Sequence, residues 1–166
     1  PVMGSDIKGR LVENTVGNLK WLHNKFSISV ETHGHASLPA NFFPHDATLP
    51  FPRDRFSEDL VVVSEGYLGP LLLRFPPAQQ QKEIFELLHG INKKFFSGIS
   101  QIIRKGNRIS FCLPFFRSKQ ERIFYPESFV QEYLNPGFTL LHERHQLLYE
   151  RENQVVGREI LVFIRD

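Results

Sequence analysis

Apolar residues along this chain follow two alternating periods. Short, mostly apolar runs at residues 60–63 (Leu-Val-Val-Val) and 109–113 (Ile-Ser-Phe-Cys-Leu) have the length and β-branched or aromatic character of strands. Between such runs, apolar residues recur three and four apart. Val12, Val16, Leu19, His23 and Phe26 fall near one face of a helix over residues 8–24. Ile84, Leu87, Leu88, Ile91, Phe95, Ile99 and Ile102 form the stripe of a sheet-packing helix over residues 79–103. Pro76-Pro77 precedes that helix, and Lys105-Gly106-Asn107 ends it with a glycine stop signal. Residues 2–6, 27–31 and 108–115 read as strands, 126–134 as a short helix, and Asn135-Pro136-Gly137 as a turn. Residues 138–150 and 155–164 read as two strands with no helix between them. Their short polar connector predicts an antiparallel hairpin. Residues 33–58 hold four prolines and little periodicity, and are predicted to form an ordered loop.

This order, β-α-β, loop, β-α-β-α, β-β, predicts an α/β fold. Its sheet should be mostly parallel, with helices on both faces and an antiparallel hairpin near one edge. Residues 60–63 should be buried on both sides, as in the middle of a parallel sheet. Ser64 and Glu65 then stand at the carboxyl end of that strand, where open α/β sheets place their ligands. Asp6 ends the first strand, and Asp46 lies in the proline-rich loop.

At 166 residues with sixteen Phe, the chain has the size and apolar content of one globular domain and excludes a disordered segment. A net charge of +2 permits nucleic-acid contact without arguing for it. The single cysteine, Cys112, sits in an apolar run, so it reads as a buried, inert thiol. Without an intrachain disulfide the expected location is the reducing cytoplasm. No apolar stretch approaches membrane-spanning length, and no membrane partner is expected. The chain opens at Pro1 directly into a strand, which reads as part of something longer.

Taken singly, the acids have ordinary readings. Asp6 caps a helix, Asp46 makes a turn, Glu65 is a solvated carboxylate, and Tyr67 belongs to the core. His33-Gly34-His35 and the pair His142/His145 invite a metal reading. No cysteine cluster or carboxylate at ligand spacing accompanies them, so no metal is expected. Arg104-Lys105 with Arg108, and Arg117, Lys119 and Arg122, are clusters of the kind that contacts phosphate, and read first as solvated charged faces.

Taken in order, these segments resemble the later two thirds of a class I S-adenosylmethionine-dependent methyltransferase. The wording is closest to the RNA methylase family that includes the tRNA guanosine N2-methyltransferases. Gly4-Ser5-Asp6-Ile7 followed by Val12 and Asn18-Leu19-Lys20-Trp21 looks like that family's second motif. His45-Asp46-Ala47-Thr48-Leu49-Pro50-Phe51 is similar to its Asp-Ala-x-x-Leu-Pro-Phe segment. Residues 59–69 occupy the place of its catalytic strand and Asp-Pro-Pro-Tyr-Gly loop, and Pro136-Gly137-Phe138 with residues 156–162 resemble its closing hairpin.

The resemblance implies a Rossmann-like methyltransferase sheet over residues 1–166, a single partial catalytic domain whose first strand is missing. It implies S-adenosyl-L-methionine as cofactor, RNA, tRNA in particular, as partner, and a guanosine exocyclic amine as methyl acceptor. Asp6 and Ile7, with Asp46 and Ala47, would bind the cofactor; Ser64, Glu65, Gly66 and Tyr67 would form the catalytic loop. The two groups are expected to converge on one cleft.

Two departures stand out. The family's Gly-rich first motif is absent, and the catalytic loop is altered. Aligned on Gly69, Glu65 takes the place of the acid, Gly66-Tyr67 replaces Pro-Pro, and Leu68 replaces the aromatic residue. Tyr67 supplies the ring only if the loop shifts by one position. The alternative is therefore a non-catalytic relative that binds RNA or serves assembly. An open edge beside the absent strand also predicts self-association.

Overall fold

The computed structural model describes residues 3–26, 42–56 and 60–166. The chain comprises two compact units, Pro1–Leu49 and Pro50–Asp166.

In the first unit, strand β1 (Gly4–Asp6) leads into helix α1 (Gly9–Phe26). Val12, Val16 and Leu19 of the predicted stripe are half-buried; the side chains of His23 and Phe26, and the strand expected at 27–31, lie outside the described residues. Strand β2 (Phe42–Pro44) pairs parallel to β1, with Gly4 opposite Phe42 and Asp6 opposite Pro44. This corrects the expected loop: Phe42-Phe43 supplies two aromatic residues of high strand propensity, and Pro44 sits at the terminal ladder position. Gly4 is needed where it stands, since a Cβ there would come within 2.8 Å of the Phe42 ring.

The second unit holds a six-stranded sheet. Strand β3 (Val61–Ser64) lies at one edge, followed by β4 (Arg108–Arg117), β8 (Val156–Arg165) and β6 (Phe138–Leu140). The short strands β5 (Arg122–Ile123) and β7 (Leu148–Tyr149) pair with β4 and β8. The pairing β3–β4 is parallel, whereas β4–β5, β4–β8, β6–β8 and β7–β8 are antiparallel. The described sheet is thus mixed and not mostly parallel, because the chain beyond residue 108 folds back on itself in hairpins.

Helix α2 (Ala78–Ile99) starts after Pro77, where a missing N–H costs nothing, and the side-chain amide of Gln81 donates to the Pro76 carbonyl at 2.8 Å. Its buried residues are Ile84, Phe85, Leu88, Asn92, Phe95, Phe96 and Ile99. The stripe is turned slightly from the predicted one: Leu87 is exposed, while Phe85, Asn92 and Phe96 face inward. Helix α3 (Glu127–Leu134) adds Val130 and Tyr133 to the same core. Phe96 is its hub, with the Phe163 ring centroid at 4.6 Å, Tyr133 at 5.0 Å and Phe111 at 5.3 Å. Aromatic pairs at these separations add to simple area burial.

On β4, Ile109, Phe111 and Leu113 are buried, and on β8 Phe163, Leu161 and Glu159 stand opposite them. Opposed residues of an antiparallel ladder share a face, so these six line the side that α2 and α3 cover. The other side carries Val61, Val63, Ser110 and Cys112. Val61 is 70% exposed and Val63 79%. The expectation that residues 60–63 are buried on both faces fails: among the described residues β3 is the edge strand of this sheet, and Val62, not Val61 or Val63, packs against the core that α2 helps form.

The strand expected over 138–150 is broken. Leu141 N–H donates to Val162 at 2.8 Å and Ile160 N–H to Leu147 at 2.9 Å, so residues 142–146 leave the ladder as a large bulge. The excursion is pinned by a buried ion pair. Arg144 donates from Nε (3.2 Å) and through a short Nη2 contact to Glu159, and from Nη1 to the Tyr125 carbonyl (3.0 Å) and Glu127 (2.9 Å). His145 N–H donates to Glu159 at 2.7 Å, with φ of 66°.

Candidate functional site

Asp6 and Asp46 lie at the same end of one parallel strand pair. Asp6 closes β1, Asp46 follows β2, and His45 N–H donates to the Asp6 carbonyl at 2.9 Å, joining the two strand ends. Each acid also serves its own backbone. Asp6 Oδ1 accepts from Lys8 N–H at 2.8 Å, and Asp46 Oδ1 accepts from Thr48 N–H at 2.9 Å and Thr48 Oγ1 at 2.8 Å. The turn reading of Asp46 is thereby realised, and Asp6 bridges strand and helix. The Lys8 bond leaves Asp6 capacity for a further donor, since a carboxylate accepts at both oxygens. Ile7 beside it is mostly exposed, and Ala47 is exposed. An acid with an available oxygen, an apolar side chain and a second acid at adjoining parallel strand ends fit a nucleoside: hydroxyls to the first acid, a flat ring on the isoleucine.

Ser64, half-buried, ends β3, and Glu65, Gly66 and Tyr67 leave it as an exposed loop. Ser64 Oγ accepts from Gly66 N–H at 3.2 Å. Gly66 has φ of 67°, and a Cβ there would meet the Phe111 ring at 2.8 Å. Glycine is therefore required twice, by the left-handed backbone and by the ring. Gly69, φ 100°, makes the second bend, with its α-carbon turned to Ile84 of α2. Tyr67 is half-exposed and not the core residue of its ordinary reading.

Glu65 is not a free solvated carboxylate. It forms a short ion pair with Nε of Arg158 on β8. The Arg158 guanidinium lies 5.6 Å from the ring centroid of Tyr149, its register partner on β7. The Arg151 guanidinium is 5.8 Å from the same ring, and its Nε donates to the Tyr149 hydroxyl at 2.9 Å. Arg151, Tyr149, Arg158 and Glu65 thus form a continuous row. Only Glu65 was picked out by sequence. The signal for the others, an aromatic residue and two arginines in the closing hairpin, depends on a register no periodicity reveals. The half-buried Cys112 thiol lies close by; burial, then the charge of Glu65, push its pKa up, against a smaller opposing effect of Arg158. A protonated thiol is inert, as the sequence reading expects.

The histidines of the bulge have local work. His145 packs on Phe124 with centroids 3.9 Å apart and sets Nδ1 3.0 Å from Glu159, and His142 Nδ1 lies 3.0 Å from the Glu143 carbonyl. His33 and His35 lie outside the described residues. Among the described residues no group of three His, Cys, Asp or Glu side chains is placed to hold a metal ion. Arg117 and Arg122 converge on Glu150, at 3.8 and 2.8 Å. No helix among the described residues is long and apolar enough to cross a membrane.

The order and pairing of β3, β4, β8 and β6 bear comparison with solved structures. The crystal structure of TrmN from Thermus thermophilus superposes over 100% of this chain with a TM-score of 0.51 at 18% identity, and the chain spans 36% of that protein's length. The chain thus shares the mixed α/β fold of the matched part of TrmN. The PH0226 protein from Pyrococcus horikoshii OT3 matches over 100% of this chain and 72% of its own, with a TM-score of 0.46 and 10% identity. No family model and no curated protein matches the sequence.

Proposed function

We propose that residues 1–166 are part of the catalytic domain of an S-adenosylmethionine-dependent RNA methyltransferase that N-methylates a guanosine exocyclic amine, in tRNA. The observation that carries this reading is the placement of three acids at the carboxyl ends of parallel strands, Asp6 and Asp46 in one unit and Glu65 in the other. The methyltransferase-like fold shared with TrmN supports it by analogy.

Bound S-adenosylmethionine supplies an electrophilic methyl carbon on a sulfonium. In-line transfer of that methyl group to an acceptor amine would require the two to be held in alignment. Little covalent work falls to the protein, so positioning dominates. Asp6 would accept from the ribose hydroxyls, Ile7 would pack on the adenine, Asp46 would accept from the adenine amino group, and the Ala47 backbone would face the ring. Glu65 accepts a hydrogen of the target amine and stabilises its developing charge. Ser64 and Gly66 shape the loop, and Tyr67 offers an exposed ring on which the target base stacks.

One observation favours a second reading. The Glu65 carboxylate is tied to Arg158, and a loop without Pro-Pro suits a relative that binds RNA without modifying it. Methyl-labelled S-adenosylmethionine with bulk unmodified tRNA separates the two. Label entering RNA supports the enzyme, and calorimetric binding of the cofactor without any transfer supports the non-catalytic module.

A further inference from the structure

The row Arg151–Tyr149–Arg158–Glu65 is more than internal bracing. Tyr149 and Arg158 are cross-strand partners and therefore point to one side of the hairpin, and Arg151, two residues after Tyr149, donates to that tyrosine's hydroxyl. Tyr149 is 44% exposed. Glu65 engages Arg158 through Nε alone; among the described residues neither terminal nitrogen of Arg158 has a partner. Glu150, the acid between Tyr149 and Arg151 in sequence, does not neutralise the row, because Arg122 holds it bidentately at 3.1 and 2.8 Å and Arg117 approaches at 3.8 Å. Two guanidinium groups gathered at one aromatic ring, with one carboxylate between them and the loop at β3, leave donor capacity for an anion.

We propose that Tyr149, Arg151 and Arg158 form a docking ledge for the RNA backbone, beside the loop that carries Glu65. The two guanidiniums take phosphate oxygens, Arg158 through its unused terminal nitrogens, and the exposed part of the Tyr149 ring meets a base or ribose of the same strand. The chemistry is that of single-stranded RNA recognition, in which arginine–phosphate contacts and aromatic surface act together. The inference rests on RNA being the substrate of the Glu65 loop, and it adds which surface holds that RNA.

Salt dependence gives the test. Binding of a fluorescently labelled, unmodified tRNA transcript is followed by anisotropy for wild type, Arg151→Gln, Arg158→Gln and Arg158→Lys. Removing one arginine–phosphate pairing lowers the slope of log affinity against log salt by about 0.7–0.9, so raising salt roughly fourfold costs the wild type about threefold more affinity than either glutamine variant. Arg158→Lys keeps the charge and the wild-type slope. A merely structural role would weaken binding without altering the slope. Arg151 is exposed, so its variant keeps the test open should Arg158→Gln fail to fold. Wild-type slopes in both glutamine variants, no wild-type binding to tRNA, or tighter binding to a DNA duplex of equal length would overturn the ledge. Reduced slopes in a protein that transfers no methyl group would leave the ledge standing and remove the catalytic reading. Methyl transfer with unaltered slopes would do the reverse.

Discussion

Replacing Arg144 with Met tests whether the bulge in the closing hairpin is held as described. Arg144 is 8% exposed and Glu159 1%. The guanidinium makes two contacts to Glu159, one to the Tyr125 carbonyl and one to Glu127. Removing it strands a buried carboxylate and a backbone carbonyl. Breaking such a pair from one side costs about 3–5 kcal/mol. His145 still donates its N–H to Glu159 at 2.7 Å, which places the expected cost near the low end, about 3 kcal/mol, or a melting temperature lower by about 10 °C. The double variant Arg144→Met/Glu159→Leu removes the charge as well as its partner. It should recover to within about 1 kcal/mol of wild type, since a well-packed apolar pair substitutes for a buried ion pair at little cost. Urea unfolding of the three proteins, with fluorescence as readout, provides the numbers. A single variant within about 1 kcal/mol of wild type, or a double variant no better than the single, would refute the assignment of Arg144 as the partner that makes burial of Glu159 tolerable. The outcome bears on function, because β7 and its Tyr149 follow directly on this bulge.

Asp6→Ala should weaken S-adenosylmethionine binding by about 1–3 kcal/mol in calorimetry while leaving the fold intact, and unchanged affinity would take Asp6 out of the site. Gly66→Ala forces a Cβ toward the Phe111 ring at a left-handed φ; it should cost about 1–2 kcal/mol of stability and displace Glu65, lowering methyl transfer more than cofactor affinity, which kcat and calorimetry together would resolve. Tyr125 and Tyr133 share a hydrogen bond of 2.7 Å in the core. Burial pushes the Tyr125 hydroxyl from 10 up to about 12 and raises that of Tyr133 as well. Groups raised in the folded state contribute stability that is complete below their unfolded pKa and is lost above it. The unfolding free energy from urea titrations should therefore fall as pH rises from about 10 to 12, by about 2–3 kcal/mol for Tyr125 alone, and Tyr133→Phe should flatten that fall.

Sequence patterns located α1, α2, α3, β1, β3, β4 and β8 to within a few residues, and most surely α2, β4 and β8, which bury one regular face. It did not find β2, where three residues containing a proline pair only because β1 lies alongside. Nor did it find the break at 142–146, since Arg144 and His145 look solvent-directed until Glu159 is seen to be buried beneath them. Leu60-Val-Val-Val read as two-sided burial on composition alone, yet composition cannot distinguish a central strand from an edge strand with an open apolar side. The candidate site was legible where it is local in sequence: Asp6 with Ile7, Asp46 with Ala47, and Ser64 through Tyr67. Arg158 was not, because its partner Glu65 is 93 residues away and the contact arises from the β3–β4–β8 order.

The most direct measurement is single-turnover methyl transfer from labelled S-adenosylmethionine to unmodified tRNA by wild type, Glu65→Gln and Glu65→Asp. If Glu65 positions the amine, both variants keep wild-type cofactor affinity and are slowed by roughly tenfold or more, as removal of a preorganised electrostatic contact requires. Aspartate is no rescue, being one methylene short in a loop fitted to glutamate. Transfer by Glu65→Gln at the wild-type rate would contradict a catalytic role for Glu65, and absence of transfer by wild type to any RNA would contradict the enzyme itself.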